Sequence, residues 1–295
     1  MDRIQHLRRH EIDTERWDTC VAAAPNGRLY GTTAFLDRMA DAWDGIVMDD
    51  YRAVLPLPRR RKFGLDYLCP MPFSGPLAVY GQAPLTQDTL DFLRQVPARY
   101  RLWDLNLEVH GRELPWPTIA RTNHVLPLDS PYTTLAANYR DSLRRTLAQE
   151  PPANEHLRVG ICFDSLMEDA LRTGAMTGTR PVDRARLKGL YDDLRLRERA
   201  FTLAWMQEGR TVAGALFFRS PGRTYYIAAW SGPEGRRCSA AARLLDAVIQ
   251  EYAGQDGVLD FEGSDLPGPA FFFEGFGATR TTYRLLQRRR FPLLW

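Results

Sequence analysis

Three stretches carry side chains whose types and spacing suit transfer chemistry. In LDFEGSDLPGPAFFFEGFGA, residues 259–278, Asp260 and Glu262 flank Phe261 at strand spacing. That spacing puts both carboxylates on one side of a strand or at its end. Paired carboxylates raise the pKa of one member, which can then serve as an acid or base near neutral pH. Ser264 and Asp265 follow, placed to cap a helix or bind a polar group. A strand end whose acids simply receive backbone and arginine hydrogen bonds fits the same residues. Phe271, Phe272 and Phe273 are expected to anchor the core.

The second stretch is WSGPEGRRCSAAARLL, residues 230–245, where glycines and the pair Arg236-Arg237 precede an amphipathic helix. Free N–H groups at such a helix start, with two guanidinium groups, suit a phosphate or other anion. Arginines that face water in a strand-to-helix loop are the bland counterpart. The third is NYRDSLRRTLAQ, residues 138–149. Leu135, Tyr139, Leu143 and Leu147 recur every four residues, which predicts one helix with Tyr139 extending a hydroxyl from its apolar face. Asn138, Arg144 and Arg145 occupy the polar face, for a ligand or for solvent.

Other chemistries lack their residues. The five histidines show no metal-ligand spacing, HExxH is absent, and no metal site is expected. No GxSxG elbow, GxGxxG turn or Walker sequence occurs. Cys20, Cys69, Cys162 and Cys238 are far apart, which argues against a zinc ribbon or a disulfide framework. A formal charge of +3 and the absence of an RNP motif or basic tail give little support to nucleic-acid binding. The run Arg59–Lys62 opens a passage to residue 76 that reads as an irregular loop and pocket wall, with Lys62 available to a substrate or to RNA phosphates. The first residues lack the apolar stretch of a signal peptide and no run reaches bilayer length, so the cytoplasm is the expected compartment.

The elements that must position these residues follow from periodicity. Thr32 or Thr33 caps a first helix, and residues 46–57 form a hairpin whose Pro56 and Pro58 should end the second strand or put it at an edge. A helix is expected from Thr86, and strands at 102–107 and 123–128. Further on, Ser165 and Glu168 match a capping box. Residues 201–206, 211–218 and 223–230 alternate as three antiparallel strands, before a helix with Leu244, Leu245, Val248 and Ile249 on one face. The order is α/β of the α+β kind, without the regular strand–helix alternation of a dinucleotide-binding domain.

WDTCVAAAPNGRLYGTTAFLD, NYRDSLRRTLAQ, YYIAAWSG and LDFEGSDLPGPAFFFEGFGA followed by TTYRLL together resemble the FemAB-like proteins of the GNAT acyltransferase superfamily. The glycine-linked FEGS and GFGA are the most specific elements of this likeness. The resemblance implies two GNAT-like domains, each a mixed, mostly antiparallel sheet flanked by helices. Residues 1–128 would be an abbreviated first domain, and 129–295 a second domain holding the active groove. It further implies an N-acyltransferase that moves an acyl or aminoacyl group from acyl-CoA or aminoacyl-tRNA to an amine, with no tightly bound cofactor. Glu262, Ser264 and Tyr139 would be catalytic, and Trp230, Ser231, Arg236 and Arg237 would hold the donor. Lys62, Arg144 and Asp260 would contact substrate. The donor loop departs from the Q/R-x-x-G-x-G/A pattern, because Arg236-Arg-Cys-Ser239 has no glycine, and no heptad run supplies the helical arm of tRNA-using members. A catalytically degenerate domain that binds a small molecule or protein is the alternative.

Overall fold

The computed structural model describes residues 3–82, 88–263 and 265–289. Two compact units are present: Met1–Arg121 with Thr282–Trp295, and Thr122–Thr281. The sequence reading divided the chain between residues 128 and 129; the division by contacts falls inside a strand, and the last strand returns to the first unit. Among the described residues, no helix is long and apolar enough to cross a membrane.

In the first unit β1 (Ile4–Arg8), α1 (Thr14–Ala23), α2 (Thr33–Met39), β2 (Ala42–Met48), β3 (Ala53–Lys62), β4 (Leu65–Leu68), β5 (Tyr80–Gly81), α3 (Thr89–Arg94) and β6 (Leu102–Leu107) follow in order. Strands β1 to β4 and β6 are neighbours in that sequence, and β5 lies beside β3. Thr32 caps α2, its side chain accepting from the Phe35 N–H. The expected start of a helix at Thr86 lies outside the described residues; α3 is capped by Asp88.

Two expectations for this unit are corrected. Pro56 and Pro58 neither end β3 nor confine it to an edge: they pair with Gly45 and Trp43 of β2. The Pro58 carbonyl accepts from Cys69 on the opposite side, so the missing proline N–H groups face away from the β2 ladder. They fall between the residues that pair with β5 and those that pair with β4, where no ladder bond is lost. Arg59–Lys62, expected in an irregular loop, complete β3 instead and pair with β4 across Phe63-Gly64. Both turn residues have positive φ, 50° and 77°, the turn that matches the twist of a two-residue hairpin.

The second unit contains most of β7 (Thr118–Pro127), then α4 (Tyr132–Ala137), α5 (Asp141–Leu147), β8 (Glu155–Val159), α6 (Phe163–Arg172), α7 (Pro181–Arg195), β9 (Ala200–Gln207), β10 (Arg210–Ser220), β11 (Arg223–Ser231), α8 (Pro233–Arg237), α9 (Ala240–Tyr252), β12 (Val258–Asp260), α10 (Pro267–Glu274) and the start of β13 (Thr279–Arg289). Its sheet runs β7-β12-β11-β10-β9-β8. All pairs are antiparallel except β11 with β12. The apolar face of α9, with Leu244, Leu245, Val248 and Ile249, packs in one core with Ala213, Ala215 and Phe217 of β10. The alternation that predicted the three-strand run thus also supplies the surface on which α9 sits.

The single helix expected through Tyr139 is two. Arg140 is extended, with ψ of 141°, and its N–H goes to the Gly275 carbonyl at 2.8 Å. Nor does Ser165 cap α6. That helix starts at Phe163 with Cys162 as N-cap, because Phe163 is drawn into the core against Tyr191, ring centres 5.0 Å apart.

Candidate functional site

The site follows from how β11 and β12 part. These parallel strands make three pairs, ending at Tyr225 with Asp260. Beyond that pair β11 runs on to Ser231, while the chain after Asp260 turns away through two left-handed residues, Glu262 (φ 62°) and Gly263 (φ 78°). Gly263 is required there, since a Cβ would stand 2.6 Å from the Thr122 carbonyl. A bulge at Ile227 shifts the β10–β11 register and bends β11 at the mouth of this fork. Past Tyr225, β11 has no strand neighbour on the β12 side among the described residues. Alternate main-chain N–H and C=O groups there are left to a ligand or water.

A cleft of about 860 Å³ occupies the fork. One wall is β11 from Tyr226 to Ser231, and the opposite wall is Phe261, Glu262 and Gly263. Leu143 and Thr146 of α5, Ala241 and Ala242 of α9, and Phe271, Phe272 and Phe273 of α10 close it. Phe261 stacks on Phe273 at 4.7 Å, so the strand end and α10 share one aromatic base. Among the three phenylalanines only Phe273 is buried as expected; Phe271 is 62% exposed and both it and Phe272 line the cleft.

The root of the fork is tied by Asp260, which is 1% exposed. It takes hydrogen bonds from Arg223 at 2.5 Å, Asn123 at 2.8 Å and the Glu262 N–H at 3.0 Å. Asp260 and Glu262 are therefore not a paired acid and base: the first is committed to the frame and orients the second, whose residue lines the cleft. Ser264 lies outside the described residues.

Trp230, Ser231 and Arg236 also line the cleft. Among the described residues, the Trp230 indole nitrogen and Ser231 Oγ are buried without hydrogen-bond partners. The indole nitrogen lies 2.8 Å from where a Cβ on Gly214 would stand, so that contact requires a glycine in β10. The Arg236-Arg237 segment is the short helix α8 and not an open loop. Gly235 lets α8 close on β10, since a Cβ would meet the Val212 carbonyl at 2.3 Å and Ser231 Oγ at 2.7 Å. Arg236 Nη1 donates to the Ser231 carbonyl at 2.7 Å. Arg237 lines a second cavity, of about 620 Å³, with Glu155, Cys238 and Arg243; the two cavities share Thr146 and Ser239.

Three further candidates lie off the cleft lining. Tyr139 is buried and donates to Asp246 at 2.9 Å, and burial together with that carboxylate pushes its phenol far above the ordinary range. It joins α9 to the segment between α4 and α5 and is badly placed to shuttle a proton. Arg144 is exposed and bonds Asp141 and the Ala137 carbonyl. Lys62, in the first unit, is exposed at the β3–β4 hairpin with its ammonium 5.3 Å from the centre of the Phe63 ring. Arg140, which sequence reasoning did not single out as a site residue, lines the cleft, its guanidinium 3.4 Å from the centre of the Phe271 ring. Among the described residues no group of three His, Cys, Asp or Glu side chains is suited to a metal ion.

No family model matches the sequence, and no curated protein matches it. Solved structures do. The crystal structure of FemX matches with a TM-score of 0.67 at 13% identity, over 93% of this chain and 96% of that one. A tandem GNAT protein from the clavulanic acid biosynthesis pathway matches with a TM-score of 0.53 at 12% identity, over 97% and 98%. This chain has the fold of FemX and the tandem GNAT proteins. L-PGS from Bacillus licheniformis is similar as well, with a TM-score of 0.54 at 13% identity over 96% and 93%. At these identities the likeness is one of fold.

Proposed function

We propose that the chain is an N-acyltransferase, taking an acyl or aminoacyl group from an activated donor, acyl-CoA or aminoacyl-tRNA, to an amine. The observation that carries this reading is the fork: a row of main-chain groups on β11 faces a strand end bearing Glu262 across one cleft. In the reaction the amine nitrogen bonds to the carbonyl carbon and the carbonyl electron pair moves onto oxygen. Main-chain N–H groups along β11 stabilise that oxyanion, and the cleft supplies proximity. Glu262 accepts the ammonium proton, directly or through water. Collapse then expels the donor's thiolate or ribose oxygen, which takes up a proton. Ser231 Oγ, buried without a partner among the described residues, is suited to orient the donor, and Arg236 lies at the cleft end nearest the start of α9.

The test has two parts. Native mass spectrometry after incubation with acyl-CoA species and charged tRNA is expected to reveal one retained donor. With that donor and an identified amine, Glu262→Gln is expected to lower the rate about 100-fold or more and to remove the acidic limb of the pH profile. A variant rate near wild type would remove Glu262 from the mechanism. The second reading, a binding module without turnover, is favoured by α8, which replaces an open donor loop and commits Arg236 to the Ser231 carbonyl. Donor retention without transfer to any amine supports that reading instead.

A further inference from the structure

Arg140 is a half-buried cation whose surroundings on the cleft wall leave its charge uncompensated. Its Nη2 donates to the Phe271 carbonyl at 2.8 Å, and the guanidinium lies on the Phe271 ring. Among the described residues no carboxylate pairs with it, whereas Arg223 and Arg280 nearby in the same unit pair with Asp260 and Glu274. A guanidinium carries five N–H donors in a planar fork, so a single carbonyl leaves most of them for another acceptor. The break between α4 and α5 puts it there: the Arg140 N–H on the Gly275 carbonyl fixes the backbone beside the end of α10. An ordinary helical residue at 140 would not be held against α10.

We propose that Arg140 selects ligands carrying an oxyanion, a carboxylate or a phosphate, on an apolar body. The proposal rests on the cleft being the ligand site, as in the function above, and adds the class of molecule it admits. The apolar half of the specificity comes from Leu143, Phe271 and Phe272, which line the cleft with Arg140. The anionic half comes from the guanidinium, which forms paired hydrogen bonds to two oxygens of one group. A carboxylate would place this contact on an amino-acid-like acceptor, and a phosphate would place it on the donor.

Fragment binding tests this without any turnover. The full chain is titrated with benzoate, phenyl phosphate and benzamide, followed by ligand-observed NMR. Wild type is expected to prefer one of the two anions over benzamide by about tenfold, the scale of a hydrogen bond to a charged group. Arg140→Gln is expected to abolish that preference with benzamide affinity unchanged, and Arg140→Lys to retain only part of it. Arg172→Gln, an exposed arginine paired with Asp169 on α6, is expected to change nothing. Preference for benzoate points to an acceptor carboxylate, and preference for phenyl phosphate to the donor. Absence of any preference in wild type, or its persistence in Arg140→Gln, overturns the proposal. If Arg140→Gln does not fold, a full preference in folded Arg140→Lys overturns it, because an ammonium cannot make the paired hydrogen bonds to two oxygens that the proposal assigns to the guanidinium. Fragment preference without acyl transfer would leave this inference standing and remove the proposed reaction; transfer without fragment preference would do the reverse.

Discussion

Replacing Asp260 by alanine is the most direct test of how the cleft is held open. The side chain is 1% exposed and accepts from Arg223, Asn123 and the Glu262 N–H. Removing one partner of a buried ion pair costs about 3–5 kcal/mol. The Arg223 side chain keeps 21% exposure, so water recovers some of its solvation, and the low end, about 3 kcal/mol, applies. For a unit of this size each kcal/mol moves Tm by about 2–4 °C, giving a fall of roughly 6–12 °C. Thermal denaturation followed by circular dichroism reads the shift. Urea titration of Asp260→Ala, Arg223→Ala and the double variant then isolates the pair. The double variant is expected to be more stable than the sum of the single losses by about 1 kcal/mol or more, since the stranded guanidinium is gone. An Asp260→Ala protein melting within about 1 °C of wild type, with no coupling to Arg223, would refute the argument. The carboxylate would then be available to a ligand, as the Asp260–Glu262 spacing first implied.

Further outcomes follow from Asp246 and from the thiols. Desolvation holds the Asp246 carboxyl above its ordinary 3.8 despite hydrogen bonds from Tyr139 and Tyr132, so the folded chain binds this proton more tightly than the unfolded one. Its contribution is complete below the unfolded value and is lost as pH rises through the folded value. The stability of wild type relative to Asp246→Asn, from urea titrations, is therefore expected to rise on acidification toward pH about 4. Tyr139→Phe is expected to cost about 1 kcal/mol of stability and leave ligand affinity unchanged, since among the described residues its hydroxyl bonds only Asp246. Among the cysteines, Cys162 is expected to alkylate first with iodoacetamide, read by peptide mass spectrometry. N–H groups of Ser165 and Asp164 lower its thiol, whereas burial pushes the Cys20 thiol up to about 11 and raises that of Cys238.

What the sequence disclosed and what it hid divide along local and distant causes. The alternation of 201–206, 211–218 and 223–230 is a short-range signal, and β9, β10 and β11 formed with α9 on their apolar face. The strand ends near Trp230, Ser231 and Glu262 were legible for the same reason, since their own neighbours define them, whereas Arg236, expected in a loop, lies in the last turn of α8. Residues fixed by a distant carbonyl were not. The four-residue spacing of Leu135, Tyr139, Leu143 and Leu147 continues across Asn138–Arg140 as if the helix did, yet the Arg140 N–H leaves the helix for Gly275. That partner stands at the end of α10, and nothing between residues 132 and 147 announces it. A continuous helix would put Arg144 on its polar face, whereas the break turns Arg140 onto the cleft wall. At 59–62 the opposite occurred, because a turn opened by Phe63 lacks the usual Asn or Asp and two strands read as a loop. Both cases turn on backbone geometry that one residue type does not encode. In a fold whose cleft is the gap between two parting strands, backbone departures of this kind decide which side chains face the ligand.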